Sequence, residues 1–142
     1  KPPMIINASG HNFDGRLFFT LPNIVLDRRM KYKIGVNRIY LTISKPVPKS
    51  VLNNELFFVR SNLVDRSAEN PHQSIVYFNY KRKDNSVQSY NAPSVIYQPL
   101  QLYELDNASF EICRLNGKEL SIDLLEIFLQ IEILRVDSYA WI

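Results

Sequence analysis

Short runs of β-branched and aromatic residues, each cut off by Pro, Asn, Asp or Ser, are what most limits the folds open to this chain. Val, Ile, Tyr and Phe suit a pleated, half-buried surface, so such runs read as strands. Met4 to Asn7 is a short first run after Pro2-Pro3. Arg16 to Leu21 follows a turn at Asp14-Gly15 and stops at Pro22, and Asn23 to Arg29 reads as a loop. Lys31 to Ser44 is a long alternating run. Tyr32, Ile34 and Val36 share one face of it; Ile39, Leu41 and Ile43 share a face further on. The parity switches between Val36 and Ile39, which a regular strand cannot do. A bulge near Asn37-Arg38 is therefore expected.

The second half repeats the pattern. Glu55 to Val64 and Ser74 to Tyr80 read as strands around a polar loop, Asp65 to Gln73. Val87 to Tyr90 and Val95 to Tyr97 flank Pro93, and Pro99 closes that segment. Ser109 to Leu115 is a further strand. Asn116-Gly117 is the strongest hairpin signal in the chain, with a return strand expected from Lys118. Residues 118–136 admit two readings. Leu120, Ile122 and Leu124 alternate, then Ile127, Leu129, Ile131 and Ile133 alternate in the opposite parity, which predicts two strand pieces joined by a bulge near Leu125-Glu126. The same stretch offers Leu120, Leu124, Ile127, Phe128, Ile131 and Leu134 at helical spacing. The abundance of Ile and the preceding hairpin favour strand. About eight strands at this spacing, with one long connection, predict an all-β antiparallel β-sandwich. The form expected is a single jelly roll filling residues 1–142 as one domain.

A chain of 142 residues can bury roughly two thirds of its unfolded surface, so it needs no metal or disulfide to fold. Its one cysteine, Cys113, allows no intrachain bridge and reads as a buried core thiol. No transmembrane-length apolar stretch and no signal-peptide pattern is present, and no membrane insertion is expected. The chain begins at Lys1, which reads as a fragment, a processed product or the ordered part of something longer. The net charge of +3 does not by itself point to nucleic acid, since the cations are spread among acids.

The sequence carries no catalytic constellation. His11 and His72 both fall where loops are expected and read as solvated; with Asp14 or Glu69 they could make a metal site, but no ligand spacing such as HxH or HxxxH appears. There is no glycine-rich phosphate loop and no nucleophile elbow. Asp106, Glu111 and Glu119 read as surface acids, and no cofactor is expected. Two basic clusters, Arg28-Arg29 with Lys31 and Lys81-Arg82-Lys83, lie at expected turns. They could contact packaged DNA or an acidic neighbour, or be solvated turn residues. Asn7-Ala8-Ser9 and Asn107-Ala108-Ser109 match the glycosylation acceptor pattern, which matters only in a secreted protein. Aromatics are more telling. Tyr90, Tyr97, Tyr103, Tyr139 and Trp141 gather toward strand ends and the C-terminus, as at protein interfaces or on sugar-binding platforms.

One block is distinctive: Phe57-Phe58-Val59-Arg60-Ser61-Asn62-Leu63-Val64-Asp65-Arg66-Ser67, then Asn70-Pro71. Tyr90-Asn91-Ala92-Pro93, Tyr97-Gln98-Pro99-Leu100 and Phe110-Glu111-Ile112 follow it. Pro22 to Asp27, leading into Tyr32 to Val36, completes the series. Over residues 16 to about 135 this order resembles the capsid-type proteins of polinton-like and adintovirus-like double-stranded DNA elements of animals. The resemblance implies a single jelly-roll minor capsid or penton-like vertex protein of the virion, assembled inside the host cell. It implies a homo-pentamer that meets a trimeric double jelly-roll major capsid protein. On that reading Ser61, Asn62, Asp65, Arg66, Asn70, Tyr97, Tyr139 and Trp141 are the candidate interface residues. Asn62, Asp65 and Ser67 could equally stabilise their own loop by bonding its backbone. The competing readings are a carbohydrate- or receptor-binding head and, more remotely, a hydrolase on a β scaffold.

Overall fold

A computed structural model describes residues 3–13, 16–43, 55–79, 87–115 and 124–136. Nine strands lie among them: β1 (Met4–Phe13), β2 (Arg16–Thr20), β3 (Lys31–Ile43), β4 (Leu56–Ser61), β5 (Ser74–Asn79), β6 (Val87–Asn91), β7 (Gln98–Pro99), β8 (Phe110–Arg114) and β9 (Leu124–Val136). A single 3-10 turn, Leu105–Asn107, is the one helical element among the described residues. The chain is all-β, and every ladder is antiparallel.

The strands form two sheets. The larger has the order β2-β1-β9-β3-β6, with β7 also pairing β3; the smaller has the order β5-β4-β8. The pairings nest. β1 pairs β9, Val25 bridges Glu104, β3 pairs β6 and β7, and β4 pairs β5. Each pair lies inside the previous one in sequence, so these described strands nest as one long antiparallel hairpin. Two further ladders, β3 with β9 and β4 with β8, wind that hairpin into its two sheets.

One core joins the sheets. Ile34, Val36, Ile39, Leu41, Leu129 and Ile131 from the large sheet lie in the same cluster as Phe57, Val59, Phe78 and Ile112 from the small one. Burying each such side chain is worth roughly 1.5–3 kcal/mol, which makes this cluster the main stabilising term.

The bulge expected at Asn37-Arg38 is present: the β3–β9 register shifts between Val36 and Arg38, which keeps Val36 and Ile39 both in the core. A second shift, between Thr42 and Ile43, leaves Leu125 unpaired opposite them, at the bulge expected near Leu125-Glu126. Residues 124–136 are strand, so the helical reading fails there. Leu120 and Ile122 lie outside the described residues.

Two expectations need correction. β1 runs to Phe13 and not only to Asn7. Ala8 and Gly10 are poor strand formers, yet both are buried; a Cβ on Gly10 would come within 2.6 Å of Ile127 Cγ2 and 2.8 Å of Phe19. Tertiary packing there overrides propensity. The Asn116-Gly117 turn and the return strand expected from Lys118 lie outside the described residues; β8 closes the small sheet and β9 sits at the centre of the large one. The second correction is that Val95 to Tyr97 is not a strand; the pairing with β3 falls at Gln98–Pro99. The cause is Gly35. A Cβ there would collide with Val95 Cγ1 and meet the Ile96 carbonyl at 2.9 Å, so the segment lies over β3 and not beside it.

Candidate functional site

A cleft of about 800 Å³ opens where the edge of the small sheet, β5, approaches the β6–β7 edge of the large one. Val36, Ile75, Val76 and Tyr90 supply its apolar walls; Ile96 and Tyr97 stand on one side, and Val64, Asp65, Ser67 and Glu69 on the other. Asn70, Gln98 and Gln101 add polar groups. Asp65 and Asn70, from one distinctive block, and Tyr97, from a later one, thus line the same cleft.

Asn70 is buried and holds the cleft together. Its Nδ2 donates to the Ser74 carbonyl at 2.9 Å and to Gln98 Oε1, and its Oδ1 accepts from Ser74 N at 3.0 Å. Gln98 Nε2 donates to the same Ser74 carbonyl at 2.7 Å. The network ties the loop before β5 to β7, and so one sheet to the other. Asn70 N also donates to Ser67 Oγ at 3.1 Å, a local turn of the kind Ser favours. Gln73 ends the loop at φ 56, in the left-handed region, and its Nε2 donates to the Val64 carbonyl at 2.9 Å. Ser61 and Asn62 serve the same loop. Ser61 Oγ accepts from Leu63 N at 3.1 Å. Asn62 donates to the Asn107 carbonyl at 3.0 Å and accepts from Ser109 N at 2.8 Å. Of the distinctive block, Ser61, Asn62 and Asn70 are satisfied within their own chain. Asp65 and Arg66 are exposed and make no ion pair among the described residues.

The opposite side is held more lightly. Ala92 N donates to the carbonyl of Asn37, at the bulge, at 2.9 Å. The Tyr97 hydroxyl donates to Glu132 Oε2 at 3.2 Å. Burial, then the Glu132 charge, push the Tyr97 phenol above its ordinary range. Ile96 between them is 75% exposed. Ile96 and Gly35 were missed in the sequence, Glu69 was weighed there only as a metal ligand, and Gln98 only as part of the Tyr97 to Leu100 block. The available signal was an apolar Val-Ile-Tyr run caught between Pro93 and Pro99, too short to bury both faces.

The other candidates fall elsewhere. Arg29 is paired with Asp27 at 3.0 Å, and its guanidinium holds that carboxyl below the usual range. Arg28 meets Glu104 at 3.6 Å and lies over the Tyr103 ring. Both stay exposed, but each already has an acidic neighbour. Lys81, Arg82, Lys83, Tyr139 and Trp141 lie outside the described residues. His11 is on β1 and not in a loop, 3.5 Å from Glu126. His72 is not freely solvated: its ring packs 4.8 Å from that of Phe58. His11 is on the large sheet and His72 lies in the loop before β5, and no metal-binding group of three appears among the described residues. Cys113 is buried as expected, but it pairs with Phe58 on the face of the small sheet away from the joint core. Asn7 and Asn107 are both exposed.

A second exposed apolar feature lies on the outer face of the large sheet. Phe128 and Tyr40 are cross-strand neighbours, 41% and 38% exposed, with Phe18 at 55% two strands away. No helix of the described residues is long and apolar enough to cross a membrane. Compared with protein families, curated proteins and solved structures, the chain matches none.

Proposed function

We propose that this chain is a structural assembly subunit: a single jelly roll acting as a penton-like or minor capsid protein that self-associates and docks on a larger coat protein. The observation that carries the reading is the apolar surface left exposed at the cleft and on the outer sheet face, namely Ile96, Phe18, Phe128 and Tyr40. Large apolar side chains exposed together mark association surfaces more often than they occur on free monomers. The nested hairpin wound into two sheets supports the jelly-roll part, because that winding is the topology of viral coat domains, though lectins share it. Fold alone does not settle function, so the assembly is what must be measured. Native mass spectrometry and electron microscopy of the purified protein should show a closed ring, with a pentamer expected. Permanent interfaces of this kind bury more than about 2,000 Å² in total.

The cleft itself favours a second reading, a ligand-binding head. Its size lies within the range of small-molecule sites, and Tyr77, Tyr90 and Tyr97 line it. A protein that stays monomeric at high concentration and gives selective signals on a glycan array would favour this reading over the first.

A further inference from the structure

We propose that the cleft between β5 and residues 92–98 receives an extended segment of a partner protein in which a Lys or Arg stands next to apolar residues. The inference deepens the assembly reading and rests on it only for who the partner is.

Three observations select this occupant. First, the charged residues lining the cleft, Asp65 and Glu69, are both acidic and exposed, and neither has an ion-pair partner among the described residues. They make a negative lip on a chain of net charge +3. Second, the walls below the lip are apolar, and Ile96 stands three-quarters exposed at the opposite rim. Asn70 and Gln98 already satisfy each other and the Ser74 carbonyl, so a ligand would meet few open polar groups there. A segment entering the cleft must therefore be apolar where it meets the walls and cationic where it crosses the lip. Third, the β5 edge is partly closed by its own chain. β5 carries an extra residue, Ile75, against β4, and Ser74 Oγ bonds both the N–H (3.2 Å) and the carbonyl (2.9 Å) of Val76. Bulges of this kind blunt an edge against ladder extension. Side chains, more than added backbone pairing, must then provide the recognition.

The test is an array of ten-residue synthetic peptides with matched apolar content and varied charge, probed with the 142-residue chain. Affinities of the best binders are then measured by fluorescence anisotropy. Peptides with Lys or Arg beside Val, Ile or Phe should be enriched over their Glu and Gln counterparts. Binding should weaken with salt, because the lip is exposed. The Asp65→Asn/Glu69→Gln double variant should weaken it about three- to tenfold, and Ile96→Ser by about tenfold or more. Asp106→Asn, at an exposed acid away from the cleft, should leave it unchanged. No enrichment of cationic peptides, or binding indifferent to both cleft variants, overturns the inference. Native mass measured on the same preparations separates the two ideas. Rings without peptide binding sink the cleft assignment alone. Peptide binding by a strict monomer sinks the self-assembly reading and leaves the cleft assignment standing.

Discussion

On one side of the cleft, residues 61–73 are tied down by side chains: Ser61, Asn62, Ser67, Asn70 and Gln73 each bond a backbone group of their own chain. On the other, residues 92–97 rest on a missing side chain at Gly35, one backbone bond to Asn37 and one phenol bond to Glu132. The polar wall is the one with the memorable sequence. The lighter wall is the one that leaves apolar surface exposed. A polar motif can therefore be conspicuous mainly because it builds a loop; of its residues Asp65 stays open to a partner, beside the unremarkable Glu69 and Ile96.

Four substitutions probe that contrast. Asn70→Ala should have the largest effect on stability. It removes bonds at both ends of a buried amide and leaves the Ser74 N–H without its acceptor, which should cost about 2–4 kcal/mol in urea denaturation. A cost below about 1 kcal/mol would mean that the two walls are not built differently. Gly35→Ala comes next. The new Cβ meets Val95 and the Ile96 carbonyl, so the lighter wall must shift, at about 1–3 kcal/mol by the same measurement. A neutral result would show that residues 95–97 do not lie over β3.

Tyr97→Phe tests the lighter wall through pH. The folded-state phenol is raised above its ordinary value, so the fold favours the protonated form. Its contribution is complete below the unfolded-state value, about 10, and falls away as pH rises beyond it. Wild type should lose stability more steeply than the Phe variant above about pH 10; parallel curves would remove Glu132 from the account. Ile96→Ser should be smallest, within about 0.5 kcal/mol, because the side chain is already mostly in water. A large loss would mean that Ile96 packs within its own subunit.

Much of the fold was legible. The parity switch between Val36 and Ile39 located the bulge in β3, because period-2 burial leaves no other way to bury both residues. The same logic located the irregularity at Leu125. What could not be read were features set by contacts distant in sequence. Gly10 and Gly35 lie within strands because Ile127, Phe19 and Val95 fill the space a side chain would take. β8 and β9 follow one another among the described strands, yet the sheet that each joins is decided by β4, β1 and β3. The site was half legible. Asp65, Asn70 and Tyr97 carried polar or aromatic chemistry that drew notice, but which of them is used internally depends on Ser74 and Gln98. Asn70 proved to be a brace and Asp65 part of the open lip.

The central claim is that the exposed apolar surface belongs to an interface. Sedimentation velocity of the 142-residue chain, beside Ile96→Ser and Phe128→Ser, tests it most directly. The account predicts one discrete oligomer for wild type, shifted toward monomer in at least one variant whose denaturation curve is unchanged. A wild-type chain that sediments as a monomer throughout the micromolar range would contradict it.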